Sequence, residues 1–545
     1  MDNFGILGLL PPVLTITLAF ITKDVIVSLF LGILSGSLIV AGGNPATAVL
    51  NLTDLLAGVL VDGWNIRIFL FCALLGGLVG MLSRTGAARA FGAWAGKKLN
   101  SPKTSLLMAW FCGIIIFIDD YFNSLAVGTV MRPITDKNRI PRAKLAYILD
   151  STAAPVCILV PISSWVITVM SIVKNSDGFD TFGISELSFF IKAVPYNIYA
   201  LLTLLMVLTL IFTGRDFGPM KKSKRLAENG SLYNPEFGDA PGEISIEESA
   251  NASKAKAIDM LFPIVLLIIV AVMMFPFTTY LTSIDGETIT SFGQAMHSMS
   301  ISDAFNNTDA SMALWYAVLI TCAVTYVYYI ARGLFSIKKA SEALVEGIKS
   351  MVPALIILVM AWSIGTIIKS SPADGGLGLA SYLSEIVVGG GFPLALVPVI
   401  VFALSALIAF ATGTSWGTFA IMIPITMPIA VGLGKAKGLD PAALMNATLI
   451  CVSAVLGGAV FGDHASPISD TTILSSTGAG CPHLEHVSTQ LPYAVTAAVC
   501  SAVGFLVGGL TLSPLFAWIA AIAVFVLAIV FLPSLLSDEV KIKKK

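Results

Sequence analysis

The chain has 545 residues, 56% of them hydrophobic and 12% charged, with 32 Lys and Arg against 33 Asp and Glu and a net charge of -1. A soluble domain carries roughly 25% charge, so this composition, with a mean hydropathy of +0.88, excludes a water-soluble enzyme and places most of the chain in a bilayer. The even charge balance leaves no basic surface for nucleic acid.

Taken in chain order, apolar runs long enough to cross a bilayer fall at 5–21, 25–41, 66–83, 145–173, 189–213, 258–280, 311–331, 350–369, 442–475, 489–512 and 514–532. They predict an all-α polytopic membrane protein of about 11 spans. The start, Met1-Asp2-Asn3-Phe4, lacks a basic signal-peptide region, so the first run is read as a retained helix. Two further stretches, 103–135 and 393–432, are too long for one helix. Their middles are polar, at Asp119-Asp120-Tyr121-Phe122-Asn123-Ser124 and Thr412-Gly413-Thr414-Ser415. Both are read as re-entrant hairpins. The spans at 145–173 and 442–475 are read as broken, at Asp150-Ser151-Thr152 through Ser163-Ser164 and at Gly462-Asp463-His464 through Thr471-Thr472. The seven cysteines lie mostly in apolar runs and read as packing residues.

Charge sets the topology, because short cytoplasmic loops collect Lys and Arg. Arg84, Arg89, Lys97, Lys98 and Lys103 precede the first hairpin; Lys137, Arg139, Arg142 and Lys144 follow it. A spanning helix would separate these clusters, whereas a re-entrant hairpin keeps both inside. The tail lysines Lys541, Lys543, Lys544 and Lys545 are then also inside, and the N-terminus is outside. The stretches holding Asp54 and Asp62, Asp177 and Asp180, and Asp285 and Asp303 become outer loops. The second hairpin, between Asp374 with Glu385 and Lys435 with Lys437, enters from outside.

Three anchors recur in order: Met131-Arg132-Pro133-Ile134-Thr135 and Met422-Ile423-Pro424-Ile425-Thr426, Pro161-Ile162-Ser163 and Pro467-Ile468-Ser469, and Val194-Pro195-Tyr196 and Leu491-Pro492-Tyr493. The halves start on opposite sides, which makes an inverted-topology repeat. The expected organisation is a first repeat at 1–213, a cytoplasmic linker at 214–257, a second repeat at 258–512, and an extra span with a basic tail at 513–545. Matching interrupted helices in inverted repeats point to a secondary transporter with a midplane site.

Breaking helices in lipid bares backbone groups that neighbours, water or an ion must satisfy. Asp119, Asp120, Asp150, Asp463 and Asp470 are carboxylates at membrane depth, each costing about 2.5 to 3.5 kcal/mol on insertion scales. With Asn123, Ser124, Ser151, Thr414, Ser415, His464, Ser466 and Ser469 they form an oxygen-rich cation- and proton-binding set. The expected Na+ ligands are Asp119, Asn123, Thr414, Ser415, Asp463 and Asp470, with at most one of Asp119 and Asp120 on the ion. Asp caps of half-helices and a hydrogen-bonded His464 are the plainer alternatives. Cys481, His483, Glu485 and His486 read as a cytoplasmic loop without a site. Gly413-Thr414-Ser415-Trp416-Gly417 fits a serine-hydrolase elbow, but the strand that elbow requires is absent.

Phe461-Gly462-Asp463-His464-Ala465-Ser466-Pro467-Ile468-Ser469-Asp470-Thr471-Thr472, with His486-Val487 and Thr489-Gln490-Leu491-Pro492-Tyr493, closely resembles the NhaC family of Na+/H+ antiporters. Ile118-Asp119-Asp120-Tyr121-Phe122-Asn123 also looks like that family. The resemblance implies membership of the ion transporter superfamily, with a homodimeric scaffold and a moving transport domain in the cytoplasmic membrane of a bacterium. The expected function is exchange of Na+ for H+ by elevator-type alternating access, without a cofactor. The alternatives are a Na+- or H+-coupled carrier of an organic acid or amino acid and, more remotely, an intramembrane serine hydrolase. Arg132 could pair with a substrate carboxylate, although snorkelling to the cytoplasmic mouth is the commoner role.

The charge asymmetry predicts that a cysteine at Lys137 escapes a membrane-impermeant thiol reagent added to intact cells, while one at Asp303 reacts. Outside labelling at 137 overturns the re-entrant reading of the first hairpin.

Overall fold

The computed structural model describes residues 3–22, 24–87, 90–91, 94, 99–117, 120–160, 163–174, 176–239, 252–379, 381–382 and 393–535. Asp119, Arg89, Lys97, Lys98, Pro161, Ile162, Glu385 and the four tail lysines lie outside the described residues. Among those described there is no strand.

The chain opens with α1 (Leu10–Thr22), α2 (Val25–Val40), α3 (Pro45–Val61) and α4 (Gly63–Arg84). No span is predicted at α3, because Asn51, Thr53 and Asp54 interrupt its apolar run. Asn44 nevertheless caps it, and Pro45 suits its first turn. The outer loop expected around Asp54 and Asp62 is thereby corrected. Asp54 lies inside α3, and Asp62 caps α4 by accepting the Asn65 N–H at 2.9 Å.

The first predicted hairpin is α5 (Pro102–Ile115) and α6 (Asp120–Lys137). The first broken span is α7 (Arg142–Thr152), one turn at Ala154–Cys157, and α8 (Ser164–Lys174). Then come α9 (Glu186–Ala193) and α10 (Ile198–Thr213), on the two sides of a 49° bend, and α11 (Met220–Glu228). The second half holds α12 (Ala257–Thr282), α13 (Ala310–Ala331) and α14 (Ile337–Lys369). α15 (Val397–Thr412) and α16 (Ser415–Ala436) are the second predicted hairpin, and α17 (Pro441–Ala465) and α18 (Asp470–Ala479) the second broken span. α19 (His483–Thr511) and α20 (Pro514–Leu535) finish the described chain.

Seven described helices, α4, α12, α13, α16, α17, α19 and α20, are long and apolar enough to cross a membrane, so the protein is a multi-pass membrane protein. α16, at 22 residues, is of spanning length by itself, unlike the short arm expected of a re-entrant hairpin.

Packing gathers the helices around two centres. α4 lies against α13 and α14, while α17 is enclosed by α10, α15, α16 and α19. The spanning stretch of α17 is 83% buried and that of α20 only 17%, which puts α17 at the centre and α20 at the lipid. Small residues make both centres tight. A Cβ on Gly347 would lie 2.3 Å from Gly76 O; one on Gly458 or Gly462 would lie 2.2 Å from Phe402 O or Ala406 O.

The polar segment after α10 folds onto the end of this second centre. Lys144 on α7 meets buried Asp216 at 2.6 Å. Burial works to raise the Asp216 carboxyl, but Lys144, Lys224 and the Tyr493 hydroxyl outweigh it and hold the group below the usual carboxylate range. Ser223 Oγ and the Asn234 N–H donate to the two oxygens of Glu485 at 2.6 and 2.8 Å.

Gly462→Leu forces α15 and α17 apart and is expected to cost about 1 to 3 kcal/mol. Thermal unfolding in detergent measures it, and an unchanged midpoint refutes the close crossing.

Candidate functional site

Two interruptions meet inside the second centre. α15 ends at Gly413, whose φ of +72° is the left-handed conformation that glycine tolerates, and a Cβ there would lie 2.5 Å from Ile468 O. Ile468 belongs to the unwound stretch 466–469 between α17 and α18. Only a residue without a side chain lets the breaks touch.

Asp463, near the end of α17, and Asp470, first in α18, are both buried at this junction. Asp463 Oδ2 accepts from Ser415 Oγ at 2.7 Å, and its Oδ1 accepts from Ser469 Oγ. Asp470 Oδ2 accepts from Tyr121 Oη at 2.5 Å, and its Oδ1 from the Thr471 N–H at 2.9 Å. Ser469 and Thr471 hydroxyls lie 2.9 Å apart, both on the Asp463 side, and Thr471 links the two acids, its hydroxyl 3.5 Å from Asp463 Oδ1 and its N–H on Asp470. Ser466 lies at the edge, donating to Phe410 O at 2.8 Å. Thr414 caps α16 without a side-chain bond, leaving its hydroxyl free of the first turn. The oxygens of Asp463, Asp470, Ser415, Ser469 and Thr414 suit a hard cation, and the donors aimed at the carboxylates are hydroxyls, a backbone N–H and, at Asp470, the Trp362 side chain, none of them a charged group.

The other predicted residues fall into two separate groups. Asp120 Oδ1 accepts from Trp165 Nε1 at 2.9 Å, and Ser124 Oγ from Ser475 Oγ at 3.1 Å. Asn123 Nδ2 lies 2.6, 2.7 and 3.0 Å from the carbonyls of Gly113, Ile116 and Thr152. Its amide nitrogen therefore closes the ends of α5 and α7, while Asn123 Oδ1 is buried with no hydrogen-bond partner among the described residues. In the third group, Asp150 Oδ2 lies 2.7 Å from Gln490 Nε2 and 3.1 Å from His486 Nε2. His464 lies between Tyr199 Oη at 2.9 Å and Ser151 Oγ at 3.3 Å.

The loop expected at Cys481, His483, Glu485 and His486 is corrected: Cys481, Glu485 and His486 are buried, and the last two start α19. Sequence reasoning missed His486, Gln490 and Tyr121 as partners of the carboxylates. His483, His486, Gln490 and Tyr493 are spaced by three, four and three residues, a one-face helical pattern that was available.

A cavity of about 740 Å³ opens onto the carboxylate junction. Asp54 and Asp62 line it along with Trp64, while Trp362, Lys369, Thr412, Gly413, Thr414 and Trp416 lead to Tyr121 and Asp470. Arg132 is not part of it. Its guanidinium lies 4.0 Å from Asp136, one turn away, so the carboxylate-binding role considered for it has no support in this geometry. The hydrolase reading also falls here. Ser415 follows a helix rather than a strand, and its hydroxyl meets Asp463, while His464 turns to Ser151 and Tyr199.

The profile of the Na+/H+ antiporter family matches residues 156–510. An uncharacterized protein of Haemophilus influenzae is 37% identical over 531 residues, 96% of this chain and 94% of that one. The malate-2H(+)/Na(+)-lactate antiporter of Bacillus subtilis is 33% identical over 181 residues, 32% of this chain and 35% of its own. An uncharacterized Na(+)/H(+) antiporter of H. influenzae is 32% identical over 169 residues, 31% and 32% of the two chains.

Ser415→Ala removes a buried hydrogen bond to Asp463 and is expected to cost about 1 to 3 kcal/mol of stability with the fold retained. A fluorophosphonate probe should leave Ser415 unmodified in the intact protein. Labelling that disappears in S415A overturns the assignment of its hydroxyl to the carboxylate.

Proposed function

This chain belongs to the Na+/H+ antiporter family and is a secondary transporter, not an enzyme, and from that premise we propose that it exchanges Na+ for H+ across a bacterial cytoplasmic membrane by alternating access. The observation that carries the reading is the pair of buried carboxylates, Asp463 and Asp470, joined through Ser469 and Thr471 where two helix breaks touch.

The physical logic is competition. Two carboxylates close together in a low-dielectric site resist being charged together, so the pair holds a proton or a cation to offset the second charge. Na+ takes oxygens of Asp463 and Asp470 with the Ser415, Ser469 and Thr414 hydroxyls, and the proton leaves. Asp119, outside the described residues, stays a proposed ligand; Asp120, Asn123 and Ser124 serve the supporting shell of the first hairpin.

The two packing centres support an elevator arrangement, in which the α15–α19 body carries the site past a scaffold built on α4, α13 and α14, the latter forming a homodimer. The four interruptions among the described residues, at 116–117, 158–160, 413–414 and 466–469, support the inverted repeat, with its halves at 1–213 and 258–512. The N-terminus is then outside and the C-terminus inside.

A second reading has one observation in its favour. About 740 Å³ is far more room than a bare ion needs, and Lys369 stands in the cavity, so a Na+- or H+-coupled carrier of an organic acid or amino acid also fits. The partial match to a malate and lactate antiporter agrees with that reading.

Calorimetric Na+ binding on purified protein, without organic solute, separates them. Direct competition at a carboxylate weakens apparent Na+ affinity by at least about tenfold per pH unit on the acid side and releases at least one proton. Asp463→Asn should abolish Na+-dependent proton movement in liposomes at equal folding. Binding that appears only after an acid or amino acid is added sinks the antiporter in favour of the carrier.

A further inference from the structure

The exchange just described uses Asp463 and Asp470 and leaves a second buried titratable cluster unused. It joins Asp150 of α7 to His486 and Gln490, which stand one turn apart on α19, and all three are at most 1% exposed. Gln490 Nε2 donates to both Asp150 Oδ2 and the His464 carbonyl, and two acceptors on one side fix which end of the amide is nitrogen. His486 Nε2 faces Asp150 Oδ2, so in the neutral ring the hydrogen is on Nε2 and Nδ1 is a bare lone pair.

Among the described residues, three atoms of this trio have no hydrogen-bond partner: Asp150 Oδ1, His486 Nδ1 and Gln490 Oε1. Each is an acceptor, and buried acceptors without donors are rare and costly. The cluster therefore lacks hydrogen, not oxygen. A proton on Nδ1 turns one orphan acceptor into a donor and converts the contact with Asp150 into an imidazolium–carboxylate pair.

We propose that Asp150 and His486 form a proton-binding site distinct from the Asp463–Asp470 cation cluster, loaded while the cation site is empty and unloaded when Na+ binds. Its role in transport rests on the exchange reading above. The link between the sites is short: Asp463 feels the charge of Asp150, and the Gln490 amide ties Asp150 to His464, the residue after Asp463. A cation arriving at Asp463 and Asp470 therefore disfavours an imidazolium nearby.

Other charged and titratable groups face the pair. Tyr147 on α7, Tyr199 on α10, and Asp463 and His464 on α17 surround it. His483 and Glu485 flank His486 along α19, with Tyr493 farther on. Lys144 is committed to Asp216 at 2.6 Å, and Arg142 to Asp136 at 3.1 Å. Asp120 and Asp470, on the packed α6 and α18, are engaged by Trp165 and Tyr121. Of the cationic groups among these, Lys144 and Arg142 are paired with other acids, and His464 is the other ring whose charge Asp150 feels.

The test is 15N-histidine NMR of the full chain in micelles, where only His297, His464, His483 and His486 give signals. Across a pH series, Na+ should move the His486 nitrogens from the pattern of two ring protons toward the neutral form. Calorimetry in two buffers of different ionisation enthalpy then counts about two protons released per Na+ bound by wild type and about one by His486→Gln, which keeps a donor toward Asp150 but carries no exchangeable charge. Apparent Na+ affinity should correspondingly depend on pH about hundredfold per unit in wild type and about tenfold in the variant. His486 signals that stay neutral, or that ignore Na+ shown to be bound, overturn the proposal and leave exchange at Asp463 standing. The NMR arm on wild type decides this even if H486Q does not fold. Failure of the wild type to bind Na+ overturns the exchange reading and, with it, the coupled role of His486.

Discussion

In hydrocarbon there is no water to satisfy an unwound backbone, so each place where a helix stops inside this protein has to be closed by the protein itself. That constraint organises the rest. Asn123 spends its amide on three carbonyls at the ends of α5 and α7. Ser466 bonds across to Phe410 O, and Ser469 caps α18. Gly413 gives up its side chain so that the second interruption can lie directly on it. The polar residues at the breaks thus divide between those that close the backbone and those left over to face a ligand, and the second group is smaller than their number suggests.

The same division explains how several carboxylates persist at depth. Asp120 has an indole N–H and Asp150 has an amide and an imidazole. Asp463 and Asp470 have hydroxyls and a backbone N–H, with the Trp362 side chain added at Asp470. Neutral donors soften the cost of a buried charge without cancelling it, whereas a lysine or arginine would cancel it and make the site inert. The cationic side chains near the core are held by acids at its margin: Lys144 by Asp216, Arg142 by Asp136, and Arg332 by Asp259. Those three charges are kept from Asp463 and Asp470, while Lys369 lines the cavity that Asp470 shares.

Much of the helical plan was legible because apolar runs and their polar interruptions are direct signals of burial in lipid. The broken stretches after Asp150 and Asp463 and the hinge at Gly413-Thr414 were each visible as polar residues inside such runs. α3 was not, since Asn51, Thr53 and Asp54 make it resemble a loop although a cap and a proline start it as a helix. The first turn of α19 was hidden differently. Gly480-Cys481-Pro482 reads as the end of structure, and charged or polar residues after it read as solvated, yet His486 and Glu485 are enclosed by segments hundreds of residues away in sequence. Partner choice of that kind is tertiary: spacing can mark the face of α19, but nothing local says that Asp150 lies opposite it.

The long sequence separations within the site also constrain how the protein is made. Asp150 receives its hydrogen bonds from residues 336 and 340 positions later, and Tyr121 reaches an acid 349 positions away. At about 5 to 20 residues per second, roughly 20 to 70 seconds pass between synthesis of Asp150 and of its partners. During that time Asp150 sits at the membrane without the Gln490 and His486 that later hold it, although Asn123 and Trp165 already close their own partners within the first half. A nascent chain in that condition resembles a damaged one to any quality-control protease that reads exposed polarity in lipid. Assembly then depends on the second half arriving before the first is removed, and separately expressed halves would each be made incomplete.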